Sequence, residues 1–92
     1  MSNYALYKFS ADWCGPCKIM KNTVNEVIKD FNNIELVSID VDNNSDLSRE
    51  YMIRSIPALI IVKKENKKEV GRLIGNFPID KVRKFISENL KD

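Results

Sequence analysis

Histidine is absent from this 92-residue sequence, and cysteine occurs only twice, at Cys14 and Cys17. The first absence excludes Ser-His-Asp and Cys-His catalysis and every zinc site that uses imidazole. The second leaves nothing for a structural disulfide framework, because both cysteines lie in one short motif. Two thiols are also too few for the four thiolate or imidazole ligands usual in structural zinc, so no metal is expected. Long apolar runs are lacking: the longest, Ile56 to Val62, is interrupted by Pro57 and falls far short of the about 20 residues that cross a bilayer. The opening Met1-Ser2-Asn3-Tyr4-Ala5 has neither the basic start nor the apolar run of an export signal, which predicts a soluble cytoplasmic protein. An excess of one charge is missing too. Fifteen basic against thirteen acidic residues give a net charge of +2, too weak a bias to indicate nucleic acid or a membrane surface as partner.

What remains, at 43% apolar residues, suits one compact domain over residues 1–92. Tyr4 to Ser10 is short, aromatic and apolar apart from Lys8, which predicts a central strand. Beyond Gly15 and Pro16, the apolar positions Cys17, Met20, Val24, Val27, Ile28 and Phe31 recur at helical spacing, ending at Asn32 and Asn33. Ile34 to Val41 reads as a second strand, and Ser45 to Met52 as a short helix capped by Asn44 or Ser45. Strands over Ala58–Val62 and Glu69–Ile74 flank a charged turn, and a final helix places Ile79, Val82, Phe85, Ile86 and Leu90 on one face. The order is βαβαββα. A right-handed crossover makes the first two strands parallel, and the last two form a hairpin, giving a mixed four-stranded α/β sheet with helices on both faces. Sites in such sheets lie beyond the carboxyl ends of the strands, which is where Cys14 falls.

Cysteines three apart at the first turn of a helix share one face and can form a reversible disulfide. The unpaired N–H groups of a helix start favour the thiolate, and Lys18 adds positive charge. Pro16 fits the first turn because its missing N–H costs nothing there, and Gly15 lets a partner chain approach. Cys14, the more N-terminal sulfur and the one expected to be more exposed, is placed to attack a target disulfide. Cys17 is placed to resolve the mixed disulfide that results.

The hexapeptide Trp13-Cys14-Gly15-Pro16-Cys17-Lys18 resembles the active-site motif of the thioredoxin family, and the resemblance covers nearly the whole chain. Ala11, Val41-Asp42, the Ile56-Pro57 dipeptide and Gly75 match the family pattern as well. The resemblance implies a thioredoxin fold, a cis bond before Pro57 facing Cys14, a substrate segment paired to the Ile56 backbone, and Trp13 flanking the groove. It also implies protein disulfide substrates, a thioredoxin reductase as electron donor, a monomer, and no cofactor held by this chain.

Three departures stand beside it. The family's leading strand and helix have no counterpart in this sequence. Lys8 occupies the central-strand position where the family commonly has a buried acid beneath the second cysteine; it is expected to snorkel to the sheet edge with its stem packed, pairing with Asp40 on the neighbouring strand, or else to depress a cysteine pKa or be desolvated enough to act neutral. Ser10 replaces an aromatic residue, and the first helix has Asn22 near the place of its kinking proline. Two other features are assigned to structure. The alternation Asp40, Asp42, Asn44, Asp46, Ser48 lacks the glycine and glutamate of a calcium loop, and Lys63 to Glu69 is a solvated hairpin turn. Two rival functions remain open: a glutaredoxin-like, glutathione-dependent oxidoreductase, and a redox-silent binding module.

Overall fold

Residues 2–90 are described in a computed structural model, so that Met1, Lys91 and Asp92, the ends of the expected 1–92 domain, lie outside the described residues. The elements run β1 (Tyr4–Ser10), α1 (Gly15–Val27), β2 (Ile34–Asp40), α2 (Ser45–Glu50), β3 (Ala58–Lys63), β4 (Glu69–Ile74) and α3 (Ile79–Asn89). The sheet order is β2-β1-β3-β4. β1 is parallel to β2 and antiparallel to β3, and β3 pairs antiparallel with β4. The mixed sheet and the element order are those that the sequence predicts.

Alternation along β1 divides the core. Tyr4 and Leu6 point to one face, where they meet Met20, Val24 and Val27 of α1 and Val82, Phe85 and Ile86 of α3. Ala5, Tyr7 and Phe9 point to the other, where they meet Tyr51 beyond α2 and Ile60 of β3. Helices therefore cover both faces, and residues buried on each side hold the sheet by about 1.5–3 kcal/mol per large apolar side chain. Ala58 to Val62 is buried without interruption, because β3 is central and covered on both faces.

Several element ends differ from expectation. α1 stops at Val27, and a 3-10 turn over Ile28–Asp30 follows. Ile28 and Phe31 still pack on the core, but Phe31 reaches it from extended backbone (φ −127°). β2 ends at Asp40 rather than Val41, whose N–H donates instead to Ser10 O at 2.9 Å. α2 ends at Glu50 rather than Met52, because Met52 turns left-handed (φ 53°) and the Ile53 N–H closes back on Ser48 O at 2.8 Å. Asn44 holds the N-cap position of α2 without a capping side-chain bond; its Nδ2 donates to Asp40 O. Among the described residues, no helix is long and apolar enough to cross a membrane.

Candidate active site

The chain leaves β1 at Ser10, turns through Ala11, Asp12 and Trp13, and enters α1 at Gly15. Cys14 is the N-cap of that helix, with extended backbone (φ −90°, ψ 107°) and its N–H donating to Ala11 O at 3.2 Å. Its Sγ accepts the Cys17 N–H at 3.2 Å, filling the role an oxygen has at most N-caps. Cys14 and Cys17 are joined in a disulfide with their Cα atoms 5.3 Å apart. Pro16 lies in the first turn, as expected. The expected contrast in exposure is small: Cys14 is 6% and Cys17 3% exposed, since both cluster with Ala11, and Val41 and Ile56 pack against that cluster.

Three segments meet around this disulfide. The Ile56-Pro57 peptide bond is cis, as the resemblance implied, and Ile56 packs against the cluster of Ala11, Cys14 and Cys17. The Gly75 N–H donates to Pro57 O at 2.9 Å, and Gly75 adopts φ +112°, a conformation open to glycine and strained for other residues. Apart from its chain neighbours and the backbone of its own helix, no atom lies within 4 Å of where a Cβ on Gly15 would stand, so the space beside it is free for another chain. Trp13 is 71% exposed, yet its Nε1–H donates to Asp42 Oδ2 at 2.9 Å, which fixes the indole at the rim. Nothing in the sequence linked Trp13 with Asp42, 29 positions away; the link arises because the turn after β2 lies beside the turn after β1.

Lys8 is on the other side of the disulfide and is the one buried charged residue among those described, at 4% exposure. It shares a cleft of about 520 Å³ with Cys17, Lys18, Lys21, Asp12 and Asp40. The expected pairing of Lys8 with Asp40 is not formed. Asp40 is turned to the β2–α2 turn, where its carboxylate accepts the Asp42 N–H at 2.9 Å and Asn43 Nδ2 at 3.0 Å. Burial, and then the positive charge of Lys21, push the Lys8 amine below its ordinary pKa. Lys18 is exposed on the rim of the same cleft.

The thioredoxin family model matches residues 1–88. The chain belongs to the thioredoxin family. Thioredoxins are disulfide oxidoreductases, and the cysteine pair which that activity requires is present here as a disulfide. The thioredoxin of Mycoplasmoides gallisepticum is 37% identical over 78 residues, covering 85% of this chain and 76% of the relative. Thioredoxin H2 of Arabidopsis thaliana is 36% identical over 67 residues, 73% of this chain. The chain spans about half the length of that plant relative, 49%. Among solved structures, the thioredoxin of Fasciola hepatica superposes with a TM-score of 0.84 at 28% identity, covering 96% of this chain and 82% of that one. The architecture is thus the thioredoxin fold.

Proposed function

We propose that this protein is a cytoplasmic protein-disulfide reductase of thioredoxin type, working as a single monomeric domain with Cys14 as nucleophile and Cys17 as resolving thiol. The observation that carries the reading is the Cys14 Sγ at the start of α1, accepting the Cys17 N–H. In the reduced protein that N–H and the helix N-terminus favour a thiolate on Cys14. The thiolate attacks one sulfur of a target disulfide, forming a mixed disulfide and releasing the other target sulfur as a thiolate. Cys17 then gives up its proton and attacks Cys14 Sγ, and the second target sulfur leaves. Two electrons pass to the target, and the protein is left as the Cys14–Cys17 disulfide.

Trp13, Gly15, Pro16, Ile56, Pro57 and Gly75 form the substrate rim in this reading. The open space at Gly15, the residue between Cys14 and Pro16, supports it. Lys18 adds charge at the helix start. A thioredoxin reductase, carrying its nicotinamide cofactor itself, restores the dithiol.

Disulfide reduction followed with a thioredoxin reductase system, and separately with glutathione alone, tests the assignment. Turnover is expected with the first; efficient turnover with glutathione alone would assign the chain to the glutaredoxin type. Cys14→Ser should reduce turnover by more than about a hundredfold, and Cys17→Ser should accumulate the mixed disulfide. A function that survives Cys14→Ser would point to the binding module.

A further inference from the structure

Lys8 lies in β1 in phase with Tyr4 and Leu6, on the face that α1 covers. Its lateral neighbours are Ser38 of β2 and Leu59 of β3, neither of which carries charge. Cys17 and Lys21, one turn apart on α1, line the cleft with it. The charged groups facing that cleft are Lys18 and Lys21 from α1, Asp12 from the β1–α1 turn and Asp40 from the end of β2. Asp40 is committed to its own turn, and among the described residues Lys8 forms no ion pair. Among the described residues, the Lys8 amine is therefore the one buried charged group that lines this cleft with Cys17, and it is not engaged elsewhere.

We propose that Lys8 is the proton-exchange partner of Cys17, taking the thiol proton as Cys17 attacks the mixed disulfide and releasing it once the disulfide has closed. The proposal rests on the resolving role of Cys17 given above. Before resolution the pair holds one proton, as Cys17 thiol and Lys8 amine. Transfer gives a thiolate and an ammonium without changing the net charge of the cleft, so the step needs no hydroxide and strands no lone charge. The thiolate attacks Cys14 Sγ, the bond from Cys14 to the target sulfur breaks, and that sulfur leaves with the electron pair, taking a proton from water. The new disulfide carries no charge, so the buried ammonium has lost its counter-ion and gives its proton to water in the cleft. The depressed pKa of Lys8 in the disulfide form agrees with that last step.

Reduction then restores a sulfur that can share a proton with the amine, so Lys8 should titrate at higher pH in the dithiol than in the disulfide. NMR of the lysine side-chain Cε, followed against pH in both redox states of the unaltered protein, measures this directly. An equal titration midpoint in the two states overturns the proposal. Stopped-flow reduction of a disulfide substrate provides the kinetic arm. Lys8→Met should slow the resolving phase at least about tenfold and move its pH profile upward, while leaving the attack phase of Cys14 within about twofold. Lys8→Arg keeps a cation but cannot accept a proton, and should not restore the profile. A resolving phase of unchanged rate and profile in Lys8→Met overturns the proposal. Failure of Cys17→Ser to accumulate a mixed disulfide would instead overturn the underlying reading, which the titration of Lys8 does not depend on.

Discussion

At the scale of single residues, the exposed Trp13 is held by one hydrogen bond to Asp42. A bond of this kind is worth about 1 kcal/mol, or roughly fivefold in an equilibrium. Asp42→Ala should therefore raise KM for a protein disulfide by about fivefold with kcat little changed, as steady-state kinetics would read. Lys8 makes a second prediction, on stability. Its amine sits below the ordinary 10.5, so between the two values the unfolded chain holds a proton that the folded chain lacks. Stability of the disulfide form should rise with pH across that window, and the full cost of a buried ammonium is present below it. Lys8→Met should be more stable than the parent at neutral pH, with the gap closing toward pH 10.5 in urea unfolding. The unusual setting of Lys8 was legible in the sequence, because the period of β1 puts it in phase with Tyr4 and Leu6. Its lack of an acid partner was not, since that depends on Asp40 turning to the backbone of its own turn.

At the scale of elements, two contacts fix the hairpin. Arg72 donates to both carboxylate oxygens of Glu69, at 2.6 and 2.7 Å, and to Tyr51 O at 2.8 Å, tying β4 to the end of α2. These bonds hold Glu69 below its ordinary 4.5. Their stabilisation is complete above that value and is lost as pH falls through the folded one. Glu69→Gln should lower stability at neutral pH while flattening its decline in acid, measured by thermal unfolding from pH 7 to 3. One residue before Arg72, a Cβ at Gly71 would stand 2.5 Å from Asn89 Oδ1, and Asn89 Nδ2 donates to Phe85 O at 2.8 Å near the end of α3. Gly71→Ala should cost about 1 kcal/mol by displacing that amide, and much less in an Asn89→Ala background. The four strands and three α-helices were legible in the sequence, whereas the 3-10 turn after α1 was not and the ends were set by tertiary demands. Phe31 leaves the helical path to reach the core, and Met52 takes a left-handed turn that no glycine announces.

At the scale of the molecule, the order β2-β1-β3-β4 puts the start of α1 over the middle of the sheet, with the Ile56-Pro57 segment and Gly75 converging on it. Neither of two geometric rules, the right-handed crossover and the hairpin, places β1 beside β3, but the parallel β1–β2 pair and the β3–β4 hairpin followed from the sequence through them, and so did the position of the cysteines. The convergence of Trp13 with Asp42, and of Cys17 with Lys8 and Lys21, did not, because it depends on side-chain directions that no spacing records. The strand at the centre is also the first of the four to be synthesised. β1 pairs with β2 from Tyr4 and Ile34 onward, but with β3 through more distant residues, from Phe9 with Ala58 out to Tyr4 with Lys63. A chain emerging N-terminus first thus lays down the middle of its sheet before either neighbour exists. Until β3 arrives, β1 keeps one bare edge, so the middle of the sheet is completed only once the chain has been made out to Lys63.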